Sequence, residues 1–252
     1  MPFIGTAAWS IPKSSADRFP ATGSSLTRYA SVFDGVEINS SFYKRHKAET
    51  WQRWADSVPD HFRFAVKVPK EVTHVLRLVG AEAVFDTFLR DIQPLGAKLG
   101  PLMLQLPPKL AFDAPVATGF FDHVRSVFTG CLVIEPRHPG WGSIEALTLL
   151  SEHRVSRVIA DPAVIRYDQA ETEDFLYIRL HGSPKVYYSE YRPDQLKAYA
   201  EALAAAAPES WCIFDNTASG AALVNALETL DLMHMLKNAP AGADAFHETT
   251  KP

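Results

Sequence analysis

The chain has 252 residues, of which 47% are hydrophobic and 21% are charged, a composition typical of a soluble globular protein of one large or two small domains. Its net charge of -4 gives no support for a general nucleic-acid binder or for binding to anionic membranes. No stretch reaches the ~18 apolar residues of a membrane span, and the amino-terminal segment lacks the basic region of a secretion signal, so we expect a cytoplasmic protein.

Short apolar runs alternate with segments of helical spacing along the chain. The runs predict strands at residues 3–9, 36–43, 63–69, 102–106, 131–135, 158–161, 175–181 and 211–215. The spaced segments predict helices at residues 24–33, 48–58, 81–99, 115–128, 143–153, 192–207 and 220–236. Residues 162–174 show no apolar helical stripe, so the connection between the sixth and seventh strands is predicted to be poor in helix.

Eight strands that alternate with about seven helices predict a parallel α/β fold, and the number eight favours a closed (β/α)8 TIM-like barrel over an open doubly wound sheet. We expect residues 1–237 to form this single domain and residues 238–252 to form a flexible polar tail. The sequence has no glycine-rich turn of the G-x-G-x-x-G type after a strand and no P-loop, so dinucleotide and P-loop nucleotide sites lose their main support.

The two cysteines, Cys131 and Cys212, each begin an apolar run. This position indicates small core residues rather than a disulfide or a metal pair, and it agrees with a reducing compartment.

Most of the predicted strands carry a polar residue near the carboxyl end. In a barrel these ends and the following loops form the active face, so the polar residues are candidates for a site in one mouth. Side chains alternate along a strand, so residues two apart, such as Glu135 and Arg137, project to the same side. The set is Glu37, Asn39, Lys67, Gln105, Glu135, Arg137, Asp161, Arg179, His181 and Asp215. A buried structural network of paired charges is the alternative interpretation.

Several motifs carry a family resemblance. They are Ile-Gly-Thr-Ala-Ala-Trp at residues 4–9, Val-Glu-Ile-Asn-Ser-Ser-Phe-Tyr at 36–43, Phe-Ala-Val-Lys-Val-Pro at 64–69 and Glu-Pro-Arg-His at 135–138, followed by Arg-Leu-His-Gly at 179–182 and Phe-Asp-Asn-Thr-Ala at 214–218. Over nearly its whole length the chain resembles the DUF72, or YecE-like, family. The resemblance implies a TIM barrel, and it implies no activity and no catalytic residue, since this is a family of unknown function.

Carboxylates close to His138 or His181 raise the question of a divalent metal site. Lys67, Arg137 and Arg179 in the same mouth would repel such an ion and suit an anionic group instead, because arginine grips phosphate or carboxylate with two hydrogen bonds. We therefore predict no cofactor and disfavour a metal.

Two further features lie at the same loops. Asn216 and Thr217 precede the last helix, whose free amide groups suit an anion. A plain helix cap by Thr217 or Ser219 is the favoured interpretation, and it is compatible with an anion site. Aromatic rings in these loops suit stacking on a sugar or base, or else loop packing; they are Trp9, Tyr43, Trp141, Tyr187, Tyr188 and Tyr191. His74, His123, His153 and His234 are interpreted as ordinary surface or packing residues.

The sequence thus predicts an enzyme that acts on a small anionic substrate, such as a phosphorylated sugar or a nucleotide-like molecule. The groups expected to transfer protons are Glu37, Glu135, Asp161, His181 and Asp215. The groups expected to bind the substrate are Asn39, Lys67, Gln105, Arg137, His138, Arg179, Asn216 and Thr217. Two carboxylates in one mouth also permit glycoside hydrolysis, and the alternative function is a non-catalytic binder of a nucleotide, a nucleic-acid end or a protein partner.

Overall fold

The computed structural model describes residues 1–165 and 175–238. Eight strands in this part of the chain are β1 Phe3–Thr6, β2 Gly35–Ile38, β3 Arg63–Lys67, β4 Leu99–Gln105, β5 Leu132–Glu135, β6 Val155–Asp161, β7 Tyr177–Leu180 and β8 Trp211–Phe214. They pair in parallel in the order β1-β8-β7-β6-β5-β4-β3-β2. A bridge between Ala7 and Glu37 joins β1 to β2, so the sheet closes into a barrel.

Seven α-helices of the described chain surround the strands. They are α1 Ser25–Tyr29, α2 Ala48–Asp56, α3 Glu82–Ile92, α4 Ala114–Val127, α5 Ile144–Glu152, α6 Pro193–Ala205 and α7 Ala221–Asn238. Side-chain caps start three of them: Ser24, Asp113 and Ser143 each accept a hydrogen bond from the amide three residues later, which satisfies a free donor of the first turn. Eight parallel strands, seven of which are followed by an α-helix in the described chain, confirm the predicted barrel.

Two sequence predictions fall mainly outside the described residues. The connection between β6 and β7, predicted to be poor in helix, contains residues 166–174, and the predicted tail contains residues 239–252; both stretches lie outside them.

Side chains that alternate along the strands fill two separate cores. Outward residues such as Val36, Phe64 and Ile134 pack against the helices. Inward residues form a smaller core inside the barrel: Ala7, Ala65, Met103, Val133, Val158, Tyr177, Trp211 and Ile213. The inner core fills the barrel below its carboxyl end.

The indole of Trp211 occupies the bottom of the barrel. It fits because Gly35 and Gly100 have no side chain: a Cβ atom at either position would lie 2.9 Å from an indole carbon. The ring of Tyr177 lies above it, with the ring centroids 6.2 Å apart.

Two local predictions need correction. The helix predicted for residues 81–99 ends at Ile92, because a 3-10 turn, Gln93–Lys98, contains Gly96 at a φ of 52°, and β4 already begins at Leu99. Cys131 is exposed, while Cys212 is buried; Cys131 precedes β5 rather than forming part of it, so its side chain does not reach the core.

Candidate active site

Charged side chains collect at the carboxyl end of the barrel, directly above the inner core. Glu37, Lys67 and Glu135 end or nearly end their strands, and Arg179 lies two residues after the inward-facing Tyr177. Strand alternation therefore sends these four side chains into the barrel mouth. His181 and Asp215 follow β7 and β8 in the same register, and all six are buried.

Arg179 is the centre of the cluster. Its guanidinium donates to Glu37 through Nη2, at 2.8 Å to Oε1, and through Nε, at 3.1 Å to Oε2. Nη1 lies 3.2 Å from Glu135 Oε2 and 3.0 Å from Asp215 Oδ2. Burial lowers the pKa of Arg179, but Asp215, Glu37 and Glu135 outweigh it and raise that pKa. One permanent cation thus holds three buried carboxylates.

His181 bridges two of the same carboxylates. Nδ1 lies 3.0 Å from Asp215 Oδ2 and Nε2 lies 3.1 Å from Glu135 Oε1. Burial opposes the charged imidazolium, but the hydrogen bonds to Asp215 and Glu135 raise the pKa of His181. With an acceptor at each ring nitrogen, the residue is suited to carry a positive charge.

Glu135 is saturated with donors. Its Oε1 also accepts from Gln105 Nε2 at 3.0 Å and from Arg137 Nη2 at 2.9 Å. Burial raises the pKa of this carboxyl group, but Arg179, His181 and Arg137 bring it well below its usual value. The pKa of Asp215 is lowered in the same way, with burial opposed by Arg179 and His181. Both groups are therefore ionised at neutral pH.

Tyr177 belongs to the cluster, although it is not among the site residues predicted from the sequence. Its hydroxyl donates to Glu37 Oε2 at 2.9 Å and its ring is fully buried. Its position two residues before Arg179 on one strand was the available signal, because such residues share a face.

Lys67 differs from the other basic groups. It is only 3% exposed, and no described residue offers its ammonium a hydrogen bond or an ion pair. The ammonium lies 4.3 Å from the centroid of the Phe42 ring. Burial, followed by the positive charge of Arg179, lowers the pKa of Lys67 to about 8 and outweighs the opposing effect of the charges on Glu37, Asp215 and Glu135.

His74 packs edge-on against the same phenyl ring. It is carried by a single π-helical turn, Glu71–Val75, a structure that is frequent at functional sites, and its ring centroid is 5.0 Å from that of Phe42. Burial and the charges of Lys67, Arg137 and Lys70 lower its pKa, so the imidazole is neutral at pH 7. From the sequence, His74 is expected to be a packing residue, because its neighbours have helical spacing and the turn type cannot be read from them.

Arg137 lies at the rim of the mouth. Its side chain is 26% exposed, and Nε and Nη2 both donate to Glu135 Oε1, at 3.0 and 2.9 Å. Together with His181 it lines a pocket of about 170 Å³. The other walls are apolar and come mainly from Val158, Ala160, Pro162, Val164, Ile165 and Val186.

A second pocket, of about 340 Å³, opens between the loops after β2 and β3 and helix α3. Phe42 and Trp51 contribute to its walls, and so does the ion pair of Arg45 with Asp91.

Four predicted site residues do not join the cluster. Asp161 faces outward, because Ala160 and Val158 point into the barrel, and its carboxylate interacts with the phenol of Tyr199 on α6. The other three contribute to local structure or to the surface: His138 Nδ1 caps the turn that begins at Pro139, Asn216 Nδ2 donates to Ser189 O and Asn225 Oδ1, and Thr217 is exposed.

Asn39 lies on the turn after β2, two residues beyond the inward-facing Glu37. Its Oδ1 is buried and has no hydrogen-bond partner within the described residues. Ser41 of the same turn donates to the backbone oxygen of Lys67 at 2.7 Å, so this turn is attached to the strand that carries the lysine.

The six candidate stacking aromatics divide into two groups. Trp141 and Tyr191 are buried and hydrogen-bonded to the backbone, at 3.0 Å to Leu110 O and 3.1 Å to Asp161 O, and Trp9 packs edge-on against Trp54. The remaining three are exposed: Tyr43, Tyr187 and Tyr188. These three retain rings that a ligand can reach.

In the described part of the chain no group of three or more His, Cys, Asp or Glu side chains has the arrangement of a metal site. The carboxylate oxygens of Glu37, Glu135 and Asp215 point instead at Arg179 and His181, so their lone pairs are already engaged. Among the same residues, no helix has both the length and the hydropathy of a membrane span.

A family profile described as "Protein of unknown function DUF72" matches residues 3–249 of the chain. The UPF0759 protein YecE of Escherichia coli K12 is 32% identical over 179 residues, which cover 69% of this chain and 64% of YecE. The UPF0759 protein YunF of Bacillus subtilis is 30% identical over 114 residues, which cover 43% of this chain and 40% of YunF. The matched regions therefore span less than two thirds of the length of these relatives.

Crystal structures of two DUF72 family proteins share the fold. The protein from Thermotoga maritima matches with a TM-score of 0.75 and 26% identity. The match covers 94% of this chain and 99% of the Thermotoga chain. The protein from Enterococcus faecalis has a TM-score of 0.77 at 22% identity and covers 93% and 96%. These matches confirm the resemblance and the barrel read from the sequence.

Proposed function

The chain belongs to the DUF72 family, and from the chemistry of its barrel mouth we propose that it is an enzyme that acts on a small anionic molecule, such as a phosphorylated sugar or a nucleotide-like compound, by general acid/base chemistry. The proposal is supported by the charge balance of the cluster. In the described residues four basic groups meet three carboxylates. The basic groups are Lys67, Arg137, Arg179 and His181, and the carboxylates are Glu37, Glu135 and Asp215.

One positive charge is left over when His181 is protonated. Lys67 is the group without a carboxylate among the described residues, and Arg137 at the rim still has contact with solvent. A bound anion between them would compensate the excess charge, and each charge-assisted hydrogen bond to it would be stronger than a neutral one.

Proton transfer in this site is best assigned to Lys67 and His74. The lowered pKa values of Glu135 and Asp215 make these carboxylates weak bases, contrary to the role expected for them from the sequence. Lys67, with a pKa of about 8, exchanges its proton close to neutral pH, where general acid/base groups are most effective. The imidazole of His74, whose pKa is lowered, is neutral there and can accept a proton.

Glycoside hydrolysis between Glu37 and Glu135 is disfavoured. That reaction needs a sugar between the two carboxyl groups, whereas the guanidinium of Arg179 lies between them and contacts both. A non-catalytic binder of a nucleotide, a nucleic-acid end or a protein partner would use the same excess charge without turnover. The cytoplasmic location stays a prediction.

Thermal melts with inorganic phosphate and a panel of sugar phosphates and nucleotides test the anion site. We expect one or more of these anions to raise the melting temperature of the parent protein. Arg137→Gln should weaken the binding by about 2–5 kcal/mol, because a charged partner of the anion is lost. Arg63→Gln is the matched control, since Arg63 lies at the opposite end of β3.

Phosphorus NMR of the stabilising compounds then separates an enzyme from a binder. Conversion of a bound compound by the parent protein, reduced in His74→Asn, supports the enzyme. Binding without conversion supports the binder. A parent protein whose melting temperature no member of the panel changes would contradict both.

A further inference from the structure

Lys67 has an environment that suits covalent chemistry better than ion pairing. Its amine is nearly buried, rests on the Phe42 ring at 4.3 Å and has no carboxylate partner in the described chain. Each of the other three basic groups in the mouth donates to Glu135. Desolvation next to another cation is the arrangement that makes a lysine amine nucleophilic at neutral pH.

We propose that Lys67 forms a Schiff base with the carbonyl group of a small anionic aldehyde, ketone or 2-oxo acid. This inference rests on the proposed function, because it places the carboxylate or phosphate of that substrate in the anion site near Arg137. It adds the reacting bond and restricts the substrates to those with a carbonyl carbon within reach of Lys67 Nζ.

The bonding change is balanced without any further reagent. The uncharged amine forms a C–N bond to the carbonyl carbon, and the carbonyl electron pair moves to oxygen, which takes a proton to give a carbinolamine. Loss of that oxygen as water leaves a protonated imine. The net reaction converts one ammonium and one carbonyl into one iminium and one water, and hydrolysis reverses it.

In this proposal His74 is the group that carries the proton. Its neutral ring lies on the same phenyl ring as the amine, at 5.0 Å between centroids, and its Nδ1 is 2.9 Å from Thr73 Oγ1. No hydrogen-bond partner of Nε2 is found among the described residues. That nitrogen can accept the proton released by the ammonium and return it to the departing hydroxyl.

The turn after β2 offers a second contact for such a substrate. Asn39 Oδ1 is buried without a partner in the described residues, on a turn that is hydrogen-bonded to the Lys67 backbone. A buried acceptor is costly while it lacks a donor. A hydroxyl group on the substrate would satisfy it.

Reductive trapping tests the proposal. The protein is incubated with pyruvate, or with dihydroxyacetone phosphate, in the presence of sodium cyanoborohydride, and the adduct is located by peptide mass spectrometry. We expect one adduct, on Lys67, in the parent and in Lys70→Met, and none at this site in Lys67→Met or Lys67→Arg. His74→Asn should slow adduct formation on the order of a hundredfold, the usual contribution of a proton-transfer group.

The pH dependence of adduct formation is measured on the parent protein alone. It therefore tests the proposal even if Lys67→Met does not fold. Adduct formation in the parent should rise through pH 8 and level off, whereas exposed lysines gain reactivity toward pH 10.5. Absence of an adduct with both compounds, or labelling spread over many lysines, would overturn the proposal.

Anions without a carbonyl separate this inference from the proposed function. Lactate and glycerol phosphate match the two probes in charge and size. If they stabilise the parent and no adduct forms, the Schiff base is wrong and the anion site stands. If the site gives neither stabilisation nor an adduct, both proposals fail.

Discussion

Arg179 shows why single residues of the mouth are not interchangeable. It is fully buried and contacts Glu37, Glu135 and Asp215, whereas Arg137 is partly exposed and contacts only Glu135 among these carboxylates. Removing one partner of a buried ion pair leaves an uncompensated charge, which is costly. The two arginines of one site are therefore expected to differ sharply in their contributions to stability.

Replacing Arg179 with methionine should lower the free energy of unfolding by about 3–5 kcal/mol, because buried carboxylates lose their common cation. Arg137→Gln should cost about 1 kcal/mol or less, in the range of exposed pairs, since Glu135 keeps Arg179, His181 and Gln105. Urea denaturation at pH 7 measures both. Equal losses would show that the two arginines share one structural role.

Lys67 is predicted to reduce stability in the free protein. Its folded-state pKa of about 8, against an ordinary value of 10.5, means that the unfolded chain binds more protons between these two pH values. Stability from this group therefore rises with pH across that window. Lys67→Met should raise the free energy of unfolding at pH 7 by up to about 3 kcal/mol, from 1.36 kcal/mol per pKa unit.

The gain should shrink as the pH approaches 10.5, because the lysine of the unfolded chain then also begins to lose its proton. Urea denaturation of parent and variant at pH 7 and pH 9.5 gives the difference, and other titrating groups cancel in it. A variant less stable than the parent at pH 7 would indicate an anionic partner for Lys67.

Strand alternation could predict most of the mouth but not all of it. Lys67, Glu135 and Arg179 follow from a period of two along strands whose apolar residues are plain in the sequence. Asp161 was assigned to the mouth because it ends an apolar run, but the run alone does not say which of its residues face inward. His74 could not be found from the sequence, since its role depends on Phe42 and Lys67, which come from other segments.

At the scale of elements, short apolar runs identified all eight strands because parallel barrel strands are buried on both faces. The ends of the helices are harder to predict from the sequence. Gly96 ends the segment after α3 through a positive φ, and nothing in the local spacing shows that Leu99 already belongs to β4. The pairing of Leu99 with Phe64 of β3 decides that boundary.

Two glycines in neighbouring elements should respond oppositely to alanine. A Cβ atom at Gly100 in β4 would lie 2.9 Å from an indole carbon of Trp211 and 3.1 Å from the carbonyl oxygen of Phe64. Gly100→Ala should therefore lower the free energy of unfolding by about 1–3 kcal/mol through overpacking. Gly119 lies inside α4 with open space around its Cβ position, so Gly119→Ala should add about 0.5–1 kcal/mol from helix propensity. Thermal denaturation of both variants checks the signs, and a stable Gly100→Ala would mean that Trp211 can move.

At the scale of the molecule, the barrel separates two kinds of interior. Trp211 and its apolar neighbours close the amino end, while the charged cluster joins the ends of β2, β5, β7 and β8. Ionic contacts of the mouth thus connect strands that are distant in sequence, such as Glu37 and Arg179. The stability of the whole barrel should consequently depend on the protonation of a few groups at one end.

The pH dependence of unfolding follows from the directions of three pKa shifts. His181 has a raised folded-state pKa, so its contribution is complete below its ordinary value of about 6.5 and is lost as the pH rises through the folded value. Glu135 and Asp215 have lowered values, so their contribution is complete above about pH 4.5 and is lost as the pH falls through the folded values. Among these three groups, stability should be greatest between about pH 4.5 and 6.5.

His181→Gln separates the loss of stability at high pH from the loss at low pH, because the amide donates to one carboxylate and does not titrate. Free energies of unfolding measured in urea from pH 3 to pH 8 should fall on both sides for the parent. In His181→Gln the fall above pH 6.5 should be absent, while the fall below pH 4 remains, since Arg179 still binds Glu135 and Asp215. If stability still declines above pH 6.5 in the variant, the decline belongs to another group and His181 is not the charged residue. The cluster would then have no excess positive charge for an anion to neutralise.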